Sequence, residues 1–208
     1  MPTLLGGVAV AKRGGLVLVT ALNGGTSYPA FMVSRRTHQV TPLRGTIDGP
    51  VGSGATTEGL ATVIATPSGY WADSGGYGGV VRVVTEPPRL FADAYYDNLE
   101  DAAVTFGDGA VWAGLGNQVL ELDADSANEI GPRLAPPGMI TDVAYGASAV
   151  WIATSRGRLY RYAPGDPSLQ LVARLPWAAT SLAVGGGYVW ASSVSSAAIA
   201  RVGPLPQP

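Results

Sequence analysis

The chain has 208 residues, 47% of them hydrophobic and 13% charged, with a formal net charge of −2. That is ample material for one apolar core, and the absence of cysteine excludes disulfides, thiol chemistry and a cysteine zinc site. Twelve Arg and one Lys are scattered rather than clustered, which removes the electrostatic footprint of nucleic-acid binding.

The start, Met1-Pro2-Thr3, lacks the basic residues and apolar run of a secretory signal. No stretch of about 18 apolar residues occurs anywhere, so no membrane span is expected, and the reading is a chain made in the cytoplasm. Thr3-Leu4-Leu5 has the pattern of a short strand. Val8-Ala9-Val10 and Leu16 to Val19 then form a strand pair, followed by alternating segments at Ala30 to Val33 and Gln39 to Leu43. The order repeats with Val63 to Thr66, Gly69-Tyr70-Trp71, Val80 to Val84 and Arg89 to Phe91. It returns as Val104 to Gly107, Val111-Trp112, Gln118 to Leu122 and Glu129 to Leu134, and again as Val143 to Gly146, Val150-Trp151, Arg158 to Tyr162 and Gln170 to Leu175. The last copy, Leu182 to Gly185, Val189-Trp190 and Ala198 to Val202, has no room for a fourth strand before Pro208.

Trp71, Trp112, Trp151 and Trp190 recur at intervals of 41, 39 and 39 residues. Four short strands per repeat of about 40 residues is the blade of a β-propeller. The sequence therefore predicts an all-β, five-bladed β-propeller of four-stranded antiparallel blades in one domain. The blades fall at about 7–44, 59–92, 102–135, 141–176 and 180–203, with residues 2–6 closing the last blade. Such closure hides sheet edges. One large ring at the same place in each blade is what interblade packing needs, so the tryptophans read as structural.

Chemistry is sparse. His38, the single histidine, falls in Arg35-Arg36-Thr37-His38-Gln39 and reads as a solvated turn, with no Gly-x-Ser-x-Gly elbow beside a nucleophile. The Gly-rich runs Gly49 to Gly59 and Gly75 to Gly79 lack the following helix of a phosphate or dinucleotide loop. Asp93 to Asp101 is the densest set of oxygen ligands, but its spacing is not that of an EF-hand, and it reads as a solvated acidic loop. No catalytic residue, metal or cofactor is expected.

Loop length carries the remaining signal. In a four-stranded blade the second-to-third and fourth-to-first connections emerge on one face, and the long ones, Ala21 to Pro29, Gly45 to Gly59, Asp73 to Gly79 and Asp93 to Asp101, all belong to the first two blades. They place Asn23, Tyr28, Asp73, Tyr77, Tyr95, Tyr96 and Asn98 as candidate binding residues, because loops on a rigid scaffold commonly carry binding and Tyr is a favoured contact residue.

The frame Val104-Thr105-Phe106-Gly107-Asp108-Gly109-Ala110-Val111-Trp112 and its copies ending at Trp151 and Trp190 resemble the repeats of the streptogramin lyase and related bacterial propellers, over about residues 60 to 202. The resemblance implies a propeller fold. The lyase activity of that family depends on histidines and a carboxylate around magnesium, whereas His38 lies outside the matching motifs, so the activity is not carried over. The expectation is a non-enzymatic interaction or assembly module with protein partners, in its specific form a tail or baseplate component of a phage virion. The alternative is a carbohydrate-binding, lectin-like propeller recognising a glycan. A lyase or hydrolase using the central channel would need carboxylates or histidines at the starts of the first strands, which here are mostly Val, Ala, Leu and Thr.

Overall fold

A computed structural model describes residues 7–13, 15–22, 30–43, 62–73, 79–86, 89–97, 102–166 and 168–205. The described residues form strands, turns and irregular segments with no helix, and so none contains a helix long and apolar enough to cross a membrane. The chain divides into two compact units, Met1–Asp101 with Ala124–Ala127, and Ala102–Asp123 with Asn128–Pro208.

The first unit holds two antiparallel four-stranded sheets. One runs β1 (Gly7–Arg13), β2 (Leu16–Leu22), β3 (Ala30–Ser34), β4 (Val40–Leu43), and the other β5 (Val63–Ala65), β6 (Tyr70–Asp73), β7 (Gly79–Glu86), β8 (Arg89–Asp97). Each sheet follows chain order because each connection is a hairpin. Leu18, which stands where the later repeats have Trp, is wholly buried and pairs with Met32. Strand β1 lies beside β5. Arg13 adds a polar tie, donating from Nε and Nη2 to the Pro67 carbonyl at 2.9 and 2.8 Å. The Trp71 indole donates to the Ala124 carbonyl at 3.2 Å, as does Ser68 Oγ at 3.2 Å.

The second unit holds three sheets: β9 (Ala102–Gly107), β10 (Ala110–Leu115), β11 (Gln118–Asp123); β12 (Ile140–Gly146), β13 (Ala149–Thr154), β14 (Arg158–Tyr162), β15 (Gln170–Arg174); and β16 (Ser181–Gly185), β17 (Tyr188–Ser193), β18 (Ala198–Val202). Their first hairpins turn on two residues, both with positive φ: Asp108 (55°) and Gly109 (78°), Ala147 (51°) and Ser148 (53°), Gly186 (61°) and Gly187 (80°). That is the geometry whose twist matches the flanking strands, and it explains the small residues before each Trp strand. The first strands β9, β12 and β16 are neighbours in that order.

Packing follows strand alternation. Every residue of β13 is buried. Val150 and Ile152 join Trp112, Val143, Tyr160 and Tyr162 in one apolar cluster, while Ala149, Trp151 and Ala153 join Leu182, Val189 and Ala191 in another. The fourth sheet is thus covered on both faces. Asp142 fastens it to the fifth, its Oδ2 accepting from the Leu182 N–H at 2.5 Å and its Oδ1 from the Val143 N–H at 2.8 Å.

Five sheets stand where five repeats were expected, with one difference in strand count. The segment Glu129 to Leu134, expected as a fourth strand, meets β11 only at isolated bridges, Val119 with Leu134 and Leu122 with Glu129. Pro132 has no N–H to donate, so the ladder between those bridges is interrupted. The fifth sheet has three strands, and residues 2–6, the expected closing strand, lie outside the described residues.

Candidate partner-binding surface

Of the residues chosen from loop length, Asn23, Tyr28, Tyr77 and Asn98 lie outside the described residues. The other three occupy strands, which corrects the reading of them as loop residues. Asp73 ends β6, is 8% exposed, and donates its backbone N–H to the Thr62 carbonyl at 3.0 Å. Tyr95 and Tyr96 lie within β8, which runs nine residues to Asp97. Register puts Asp73, Val80 and Tyr96 in one row of the second sheet, and Ala72, Val81 and Tyr95 in the next. Asp73 and Tyr96 are therefore two strand spacings apart, about 10 Å. The segment from Asp93 to Asp97, expected in an acidic loop, extends the ladder because the Val-rich β7 offers partners along its length. The register shifts between Arg82 and Val83, whose partners are Ala94 and Ala92, so Asp93 is the extra residue of a bulge.

The tryptophan row shows a pattern that sequence alone did not reveal. Trp71 pairs with Arg82, Trp112 with Glu121, Trp151 with Arg161 and Trp190 with Arg201, so each ring has a long charged neighbour on the third strand. In the second unit each indole donates to the carbonyl of the Gly that ends the first strand: Trp112 to Gly107 at 3.3 Å, Trp151 to Gly146 at 3.0 Å and Trp190 to Gly185 at 3.2 Å. Trp71, Trp112 and Trp151 are at most 1% exposed. Trp190 differs. It is 41% exposed, against the expectation that it packs between blades, because among the described residues of its unit no further sheet comes after it.

Around Trp190 lies a compact surface. Tyr188 meets its ring edge-on at a centroid distance of 6.2 Å, and the Arg201 guanidinium carbon sits 4.4 Å from the Tyr188 centroid and 5.9 Å from that of Trp190. These are cation–π distances. Ile199 is also exposed, and Val194 lies just beyond β17 at 85% exposure. Sequence reasoning missed this surface because Trp190 stands in the same frame as its buried counterparts.

Where the equivalent face is covered, its polar groups feel the burial. Desolvation raises the Glu121 carboxyl above its ordinary range, with Asp108 adding repulsion; it raises the Tyr145 hydroxyl, again with Asp108, and the Tyr162 hydroxyl, with Glu121 and Asp166. Both Asp142 oxygens accept backbone N–H groups, a fastening role, and among the described residues no three His, Cys, Asp or Glu side chains gather as a metal would require.

No protein-family model matches the chain, and no curated protein matches it. Solved structures do. A chain in the crystal structure of the mitotic checkpoint complex is similar with a TM-score of 0.68 at 10% identity, over 93% of this chain and 63% of that one. The chain has a β-propeller-like fold. A chain of the nidogen/laminin complex gives 0.63 at 9% identity, over 95% of this chain and 74% of that one, and the computationally designed Ika8 protein gives 0.61 at 12%, over 88% and 54%. The chain thus spans little more than half of Ika8 and under two thirds of the checkpoint-complex chain. At such identities the likeness concerns fold alone. The comparisons thus support a propeller-like fold and do not confirm the likeness to the streptogramin lyase family.

Proposed function

We propose that this propeller-like chain is a non-enzymatic interaction module that binds a protein partner through the Trp190 face of its fifth sheet. One observation carries the reading: a Trp that its sister sheets bury is here exposed, with Tyr188 and Arg201 beside it. Trp, Tyr and Arg are the residue types that dominate interface energetics. The same face elsewhere in the unit indicates the partner's chemistry. Trp112 packs against Val143, Val150, Ile152 and two tyrosines of the next sheet, so the Trp190 face suits a protein surface rich in branched aliphatic side chains. Arg201 adds a preference for a carboxylate at its edge. A glycan fits less well, since Arg201 lies over both rings on which a sugar would stack.

A photo-reactive residue placed at Ile199 in the native source tests this, with sedimentation of the extract and mass spectrometry of the crosslinks. The expected result is a crosslink to a defined protein, absent when the photo-reactive residue is at Gly165 and lost on Arg201→Glu. Co-sedimentation with a large particle would favour the virion form of the reading. Migration as a free chain with no crosslink would overturn the proposal.

A further inference from the structure

The sequence scatters its arginines, but the fold gathers some of them. Lys12 and Arg13 end β1, and the chain returns as β2 from Leu16. The turn from β3 to β4 comes to the same end of the sheet, with the Arg35 N–H donating to the Gly15 carbonyl at 2.8 Å. Lys12, Arg13, Arg35, Arg36 and His38 are all exposed there. Neither residues 12–16 nor residues 34–39 include an Asp or Glu.

The second turn has a fixed shape. Ser34 N–H donates to the Gln39 carbonyl at 2.9 Å and His38 N–H to the Ser34 carbonyl at 2.8 Å. Ser34 Oγ accepts from the Thr37 N–H at 3.2 Å. The backbone and Ser34 hold the turn, and the Arg35 and Arg36 side chains are exposed on it. Arg13 spends two donors on the Pro67 carbonyl, and a guanidinium has five.

We propose that this end of the first sheet docks an acidic peptide segment of a protein partner. Guanidinium groups pair with carboxylates bidentately, and a cluster of like charge attracts anions. Three features select a peptide over a nucleic acid. The two turns carry no aromatic side chain on which a base could stack. Four strands at about 4.8 Å spacing give a span of about 14 Å, enough for about four extended residues. The exposed neighbours are Leu16 and Val40, which offer aliphatic contact to apolar residues among the acids. This surface is independent of the Trp190 face.

The test measures fluorescence anisotropy of a labelled eight-residue Glu/Leu peptide, beside a Lys/Leu peptide and a single-stranded oligo-dT. The Glu/Leu peptide should bind the full chain, with affinity falling as salt rises. Arg35→Glu/Arg36→Glu should weaken it by roughly tenfold or more, Arg36→Gln should weaken it less, and Arg174→Glu should leave it unchanged. Circular dichroism of each variant checks that the fold persists. Absence of salt-sensitive peptide binding, or binding indifferent to the double substitution in a folded variant, overturns the proposal. So does tighter binding of oligo-dT that is lost in the same variant, which would assign the surface to nucleic acid.

Discussion

Trp151 and Trp190 occupy the same frame 39 residues apart, yet the structure gives them different energetic weight. Each offers about 200 Å² of side-chain surface, and at about 25 cal/mol/Å² complete burial contributes about 5 kcal/mol. Trp151 is 1% exposed and Trp190 is 41% exposed, so Trp190 retains about 3 kcal/mol of that on the same basis. Its contact with Arg201 restores about 0.5 kcal/mol. Trp151→Ala also leaves an internal void that its neighbours cannot fill, a further cost, whereas the space left by Trp190→Ala is open to water. Because unfolded chains already bury some surface, the difference is firmer than either total. Trp151→Ala should therefore cost about 2 kcal/mol more than Trp190→Ala, a separation of about 4–8 °C in melting temperature for a chain of this size. Urea and thermal unfolding followed by far-ultraviolet circular dichroism read this without depending on the tryptophans removed. Equal losses, within about 0.5 kcal/mol, would mean that something covers the Trp190 face and would overturn this prediction.

The glycines that accept the indole bonds give a parallel test. A Cβ at Gly146 would meet Val184 at 2.6 Å, while one at Gly185 meets nothing within 4 Å; Gly146→Ala should destabilise by about 1–3 kcal/mol, and Gly185→Ala should be neutral or slightly stabilising, both measured in urea. Asp142→Ala removes the acceptor of the Leu182 N–H and should cost about 1–3 kcal/mol, with hydrogen exchange at Leu182 rising. Glu121 has its pKa raised by burial, so the folded state favours the protonated acid and loses stability as pH rises through the unfolded and then the folded pKa. Glu121→Gln should match the parent chain near pH 4 and grow more stable than it toward pH 7, as equilibrium unfolding at several pH values would show.

The strands of the second unit were legible because the signal was local and repeated. Gly107-Asp108-Gly109 and Gly185-Gly186-Gly187 announce their tight turns, and the valines beside Trp112, Trp151 and Trp190 announce the strands that come next. What failed was whatever depends on a neighbour. Tyr95 and Tyr96 come after Asp93 and Ala94, poor strand formers, and only pairing with β7 makes the segment a strand. The third sheet's outer segment looked like its counterparts until Gly131-Pro132 interrupted its pairing. Trp190 could not be told from Trp151 because its exposure depends on whether another sheet packs over its own. The pairing of each Trp with Arg82, Glu121, Arg161 or Arg201 required register, which fixes facing residues only once the turns are known. The basic end of the first sheet was hidden for the same reason, since its two halves are more than twenty residues apart in the chain.

The third sheet's interrupted segment also bears on how the protein fails. Pro132 and the Arg133–Glu129 ion pair lie along the outer edge of β11, a pattern that discourages another strand from adding there. Strand β18 has no such cover among the described residues, and its sequence, Ala-Ile-Ala-Arg-Val, carries Arg201 as its single charge. On the described residues alone, Arg201 is the charge that would discourage edge-to-edge stacking there. Neutralising it would shift the danger in a concentrated solution from loss of fold to aggregation of molecules that are still folded.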